Sequence, residues 1–257
     1  AAVTLPQVST GNVLSWGRNT YGMLGQGTVN VNSYVAASVK DLPGKANIIA
    51  AGVGMHQCAV VAGEAYCWGN NNQGQLGNNT KVESSVPVNV QGLDGKTVTG
   101  IGVGTSHTCA LADGKPYCWG QTGNGEIGNG TTTVGSQLTP TPVTVSGVLL
   151  NKTITAISVG GNHACVIADG KAYCWGRSFH GQIGYVWGNT TSQVVPAAVG
   201  TVNMTGTVTS ISAGNQHTCA VASGKAYCWG AFTGGQLGSA KTTNQWEPIA
   251  VTATAGI

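Results

Sequence analysis

The sequence predicts an all-β protein: a β-propeller of about five blades of short antiparallel strands, its ring closed near the two termini. Three observations carry this reading. Trp-Gly recurs at Trp16, Trp68, Trp119, Trp175 and Trp229, with spacings of 52, 51, 56 and 54 residues. The chain holds 41 glycines in 257 residues, well above ordinary usage. Short apolar runs such as Ile154–Val159 and Val208–Ala213 read as buried strands, and no segment carries a helical apolar period. Small sheets repeated every 50 or so residues must bury their faces on one another, which is the propeller solution. The whole chain, residues 1–257, is read as one such domain.

Each Trp is followed by fixed landmarks. A Gly lies six residues on (Gly22, Gly74, Gly125, Gly181, Gly235). A Leu or Ile lies eight on (Leu24, Leu76, Ile127, Ile183, Leu237), and a second Gly nine on (Gly25, Gly77, Gly128, Gly184, Gly238). Ahead of four of the five Trp residues stands H-x-C-x8-C-W-G, starting at His56, His107, His163 and His217. The first unit has Thr4, Pro6 and Ser15 at the matching places.

The eight cysteines form four pairs at one spacing: Cys58 with Cys67, Cys109 with Cys118, Cys165 with Cys174, and Cys219 with Cys228. Asp113-Gly114 is a two-residue hairpin signal. Counting outward from it places Cys109 opposite Cys118 at a non-hydrogen-bonded site, where the Cα atoms approach to about 4.5 Å, within disulfide range. Turns at Ala62-Gly63, Asp169-Gly170 and Ser223-Gly224 give the same result. Four cross-strand disulfides are therefore expected. Free buried thiols and a metal site are the alternatives, although zinc sites favour shorter Cys spacings. Disulfides place the protein in an oxidising setting: secreted, at the cell surface or periplasmic.

Charge is scarce. Lys and Arg number 11 and Asp and Glu 8, for a net charge of +3. So few charges cannot supply the basic footprint that a phosphate backbone needs, so no nucleic-acid partner is expected. There is no apolar run of membrane-spanning length, so no membrane insertion is expected. Ala1–Thr10 lacks the basic start and apolar core of a signal peptide.

The segments Trp68–Gly77 (WGNNNQGQLG) and His107–Trp119 (HTCALADGKPYCW) resemble the repeat of the regulator of chromosome condensation family. The resemblance runs over essentially the whole chain. It implies a propeller of four-stranded blades, most often seven, with function in loops and faces. Nucleotide exchange on a small GTPase at chromatin is the best-known role in that family, and another relative inhibits β-lactamases by capping them. The paired cysteines, sparse charge and absence of a basic tail set this chain apart from the nuclear members. They make it look like secreted bacterial ones, and nucleotide exchange is disfavoured.

Ring closure is tight. The path from Trp229 through both termini to Trp16 is 44 residues, against 51 to 56 elsewhere. A closed five-bladed ring is the first reading. A part of a larger protein, or a strand supplied by a neighbouring copy, are the others.

The equivalent histidines are read as packing and hydrogen-bonding residues, not metal ligands. The acids Asp41, Glu64, Glu83, Asp94, Asp113, Glu126, Asp169 and Glu247 occupy scattered repeat positions with no pair set for acid–base work. No nucleophile elbow, P-loop or dinucleotide motif occurs, so neither an enzyme nor a cofactor is expected. Lys115, Lys171 and Lys225 each follow a hairpin Gly and read as solvated turns. The sequons at Asn78, Asn129, Asn151, Asn189 and Asn203 permit glycosylation without predicting it.

Residues that break the repeat are the informative ones. Tyr185-Val186-Trp187 is inserted into the fourth unit. Phe179 and His180 lie nearby, Phe232 holds an equivalent variable place in the fifth unit, Tyr21 in the first, and Trp246 is unrepeated. Together they are a candidate aromatic patch for a protein or glycan partner, against the alternative that they pack between blades. The expected function is a non-catalytic extracellular binding module. Self-assembly as a filament subunit or tip, and inhibition of an enzyme, are the alternatives.

Overall fold

The computed structural model describes residues 12–132, 135–185 and 192–252. The chain folds as consecutive antiparallel sheets, each made from neighbouring strands in chain order. The first holds β1 (Leu14–Gly17) and β2 (Ser33–Ser38). The second holds β3 (Ala46–Ala51), β4 (His56–Val61), β5 (Glu64–Gly69) and β6 (Ser84–Asn89). The third holds β7 (Val98–Val103), β8 (His107–Ala112), β9 (Lys115–Gln121) and β10 (Ser136–Pro142). The fourth holds β11 (Ile154–Val159), β12 (His163–Ala168), β13 (Lys171–Gly176) and β14 (Gln193–Ala198), and the fifth β15 (Val208–Ala213), β16 (His217–Ala222), β17 (Lys225–Gly230) and β18 (Gln245–Ala250). Each sheet is one blade of a β-propeller.

The hairpins follow from their turn residues. Asp113 and Gly114 have φ of 48° and 70°, and the other three turns share this left-handed pair, which suits the right-handed strand twist. The turns set Cys58 opposite Cys67, Cys109 opposite Cys118, Cys165 opposite Cys174 and Cys219 opposite Cys228. All four pairs are disulfide-bonded, with Cα atoms 4.1 Å apart. Among the described residues no cysteine is free.

The core lies between blades. One apolar cluster joins the first two blades through Val13, Val39, Ala59 and Trp68. Three larger ones join the second to the third, the third to the fourth and the fourth to the fifth. Each repeat therefore packs against its chain neighbours, as in other stacked-repeat folds.

The Trp landmark builds the joint. The Trp68 indole N–H donates to the Met23 carbonyl at 3.0 Å, Trp119 to Gln75 at 2.9 Å, Trp175 to Glu126 at 3.0 Å and Trp229 to Gln182 at 2.9 Å. All four rings are buried. The Gly nine residues after a Trp makes room for the next ring: a Cβ at Gly77 would stand 2.7 Å from Trp119 Nε1, and one at Gly128 the same distance from Trp175 Nε1.

The first and last blades do not repeat this joint. Trp16 is 64% exposed, and a Cβ at Gly238 would meet Val251 as its nearest neighbour. The terminal segments expected to close the ring, residues 1–11 and 253–257, lie outside the described residues.

Candidate functional site

Two groups of residues stand apart from the framework: a buried polar relay between blades and an exposed ring cluster on one loop face. The relay is built from the histidine that opens the second strand of a blade. His56 Nε2 pairs with Thr108 Oγ1 at 2.8 Å, and Thr108 Oγ1 donates to the Gln75 carbonyl at 2.8 Å. His163, Thr218 and the Gln182 carbonyl repeat this at the same distances. His56 and His163 are fully buried, and desolvation, then neighbouring histidine charge, lowers both pKa values to about 3. They are neutral spacers that stitch one blade to the next.

The middle joint differs. Ala164 stands where the other two joints have Thr108 and Thr218, so Nε2 of buried His107 lacks the hydrogen-bond partner that His56 Nε2 and His163 Nε2 have. Below it Glu126 replaces the glutamine found at Gln75 and Gln182. Its buried carboxylate accepts from Asn124 N at 2.7 Å, Asn124 Nδ2 at 2.8 Å and Asn162 Nδ2 at 3.3 Å. Among the described residues no three His, Cys, Asp or Glu side chains converge on a common point.

The turn aspartates are structural. Asp113 Oδ1 accepts from Thr97 N, and Asp169 Oδ1 from Thr153 N, each at 3.0 Å. Lys115, Lys171 and Lys225 are exposed, each at the start of a third strand.

The exposed cluster lies in the loop after β13. Phe179 is 53% exposed. His180 meets it edge-on with ring centroids 5.0 Å apart, and the Arg177 guanidinium lies 5.5 Å from its centroid, within cation–π reach. Burial, then the Arg177 charge, lowers the His180 pKa. The cluster crosses to the fifth blade, where Asn244 Nδ2 lies 3.3 Å from His180 Nδ1. Trp246 packs where a Cβ on Gly181 would come within 3.1 Å of its Cδ2.

The structure thus brings together Phe179 and His180, while Trp246 lies half-buried against Gly181 across the blade boundary. It does not bring in all seven residues expected from the sequence. Tyr185 is half-buried and packs against the apolar cluster between the fourth and fifth blades, so the packing alternative describes it. Trp187 lies outside the described residues. Phe232 is half-buried in the loop of the fifth blade, and Tyr21 is exposed in a 3-10 turn between β1 and β2 of the first blade. Sequence reading missed Arg177 and Asn244. Arg177 carried a signal: three of the other four units have Asn70, Gln121 and Ala231 after Trp-Gly.

The comparisons agree with the repeat. The family model for the regulator of chromosome condensation (RCC1) repeat matches residues 10–61, 62–111, 113–167 and 169–221. The chain is 31% identical to the Ultraviolet-B receptor UVR8 of Arabidopsis thaliana over 93% of its own length and 53% of that protein. It is 32% identical to the human E3 ubiquitin-protein ligase HERC2 over 63% of its length and 3% of that protein. The chain thus spans about half the first relative and a small part of the second. Among solved structures, human WBSCR16 aligns with a TM-score of 0.83 at 24% identity, covering 95% of this chain and 63% of that one. Prp20p of Saccharomyces cerevisiae, a protein described with binding properties to Gsp1p and histones, aligns at 0.79 and 23%, covering 95% and 60%. Those two likenesses establish the fold. With a family match across most of its length and the repeat grammar at every joint, this chain belongs to the regulator of chromosome condensation (RCC1) repeat family.

Proposed function

We propose that this propeller is a non-catalytic binding module of an oxidising compartment, secreted or at the cell surface, that takes a protein partner on the loop face around Phe179. The observation that carries it is exposed Phe179 held between half-buried Arg177 and His180, with His180 tied across a blade boundary to Asn244. Aromatic and Arg side chains held in place are what dominate protein interfaces energetically. The frame beneath them is stiff, with four disulfides and buried joints, so little ordering is lost on binding. The same disulfides support the compartment. Binding of proteins, Gsp1p and histones, is also what is described for Prp20p, which shares the fold.

The test is a display screen against secreted proteins, with a glycan array alongside. Phe179→Ala and Arg177→Ala each weaken the partner found by at least about 10-fold while thermal unfolding stays at the wild-type midpoint. Binding that ignores both substitutions sinks this reading, and capture on the glycan array alone replaces the protein partner with a sugar.

A further inference from the structure

Each joint between blades is sealed, on the edge away from Phe179, by the linker that runs from a fourth strand to the next first strand. Lys171 opens β13 and Arg177 follows its other end, so this edge and the loop face lie a strand length apart. The seal is one apolar residue per linker. Leu42, Leu93, Leu149 and Met204 each pack into the cluster of their own joint. Behind Leu93 the joint is closed, with about 20 Å³ left between Glu64, Val90, Leu93 and Asp94. The linker there is held in by a turn, Lys96 N donating to the Leu93 carbonyl at 3.0 Å and Gly92 N to Asp94 Oδ2 at 3.2 Å.

The linker between the fourth and fifth blades is built differently. It spans nine residues, 199–207, against the eight of 90–97. Val199 N donates to the Ala172 carbonyl at 3.0 Å and Val208 N to the Gly170 carbonyl at 2.8 Å, which pins both ends. Between them Asn203 Nδ2 reaches sideways to Glu247 Oε2 at 3.3 Å. The arch leaves a cleft of about 320 Å³, the size at which small-molecule sites begin. Its floor is apolar and buried: Ala172, Val199, Met204 and Val208. Lys171, Thr201 and Thr205 stand exposed around it. Lys171 occupies the strand position that Glu64 holds at the closed joint. Among the described residues Lys171 has no ion pair, since Asp169 is engaged by Lys152 at 3.4 Å, and no carboxylate lines the cleft.

We propose that this cleft is a small-molecule site for a monocarboxylate with a short apolar body. The body lies over Ala172, Val199, Met204 and Val208, where removing apolar surface from water drives binding. The carboxylate stays at the rim and accepts from the Lys171 ammonium, with the Thr201 and Thr205 hydroxyls as further donors. An organic cation is refused, because the one charge at the rim is positive. A neutral molecule of the same shape keeps the floor and loses the charged contact. The cleft lies on the edge away from Phe179, so filling it leaves the loop face free for a partner.

The experiment is calorimetric titration of the oxidised full chain with octanoate, phenylacetate, octanol and octylamine. Three variants accompany it: Lys171→Gln, Ala198→Leu and the control Lys115→Gln, which alters the matching lysine of the third blade. Ala198 is exposed on the cleft wall, so the larger side chain fills the space without entering the core. The expected result is saturable one-to-one binding of a carboxylate, octanol at least about 10-fold weaker, and no binding of octylamine. Lys171→Gln brings the carboxylate down to the level of octanol, Ala198→Leu removes both, and Lys115→Gln and Phe179→Ala change neither. Methyl spectra give a readout free of variants, with shifts centred on Val199, Met204 and Val208. Failure of both carboxylates to bind overturns the proposal. So does octylamine binding as well as octanoate, binding that ignores both Lys171→Gln and Ala198→Leu, or an equal loss in Lys115→Gln. Failure to find a partner for the Phe179 face leaves it standing, because the titration does not involve that face.

Discussion

His107 shows how one substitution changes a joint. Its counterparts His56 and His163 pass a hydrogen bond through a threonine hydroxyl to a carbonyl of their own blade. Ala164 removes that hydroxyl and leaves Nε2 of His107 without a partner. Thr108 and Thr218 are accommodated at the same position with no exposure, so Ala164→Thr fits without overpacking. It stabilises the chain by about 1 kcal/mol, the usual net value of a buried hydrogen bond, measured as a shift in the urea midpoint. The buried histidines also set a pH dependence. Folded His56 and His163 have pKa values of about 3 against an ordinary 6.5. Between those values the unfolded chain binds protons that the folded chain does not, so stability falls as pH drops from 6.5 toward 3. Each contributes up to roughly 1.4 kcal/mol per pH unit. Unfolding midpoints taken from neutral to mildly acidic pH test this, and His163→Gln flattens the slope.

Among the elements, the hairpin of each blade was legible in the sequence because it is local. Turn chemistry and a fixed Cys spacing determine the register, and a one-residue slip would separate every pair. The disulfides nevertheless differ in accessibility, which local rules do not contain. Three are wholly buried against the following blade, whereas Cys219 of the fourth is partly exposed. Mild thiol treatment of the dilute protein, followed by alkylation and mass analysis, finds Cys219 and Cys228 labelled first. Cutting any one pair costs about 2–3 kcal/mol, the entropy of closing a short loop. The loop elements were less legible. Tyr185 and Phe179 are both aromatic residues near the fourth-unit insertion, yet one packs into a cluster and the other faces solvent. That choice depends on the fifth blade, which lies dozens of residues downstream.

At the scale of the molecule the pattern is a series of joints between consecutive blades. Its apolar clusters sit between blades, so a blade is only as buried as its neighbours make it. Trp68, Trp119, Trp175 and Trp229 are buried and Trp16 is not, although all five stand in the same local motif. The low charge follows the same surface logic. Lys152 and Asp169, 3.4 Å apart, form the one ion pair among the described residues, so polar uncharged side chains solvate the blades and long-range electrostatics contribute little to holding them together.

By itself the sequence determined the repeat, the blade, the hairpin register and the cysteine partners, because each depends on residues a few positions apart whose turn and strand preferences agree. It also placed the chain in its family through residues that recur at fixed offsets. Only the tertiary structure decided which tryptophan lacks a cover, which histidine lacks a partner, and which aromatic residues of the loops share a face. These depend on the side chains brought by the adjoining blade, about 50 residues away in the chain, and burial is set by that neighbour rather than by the motif.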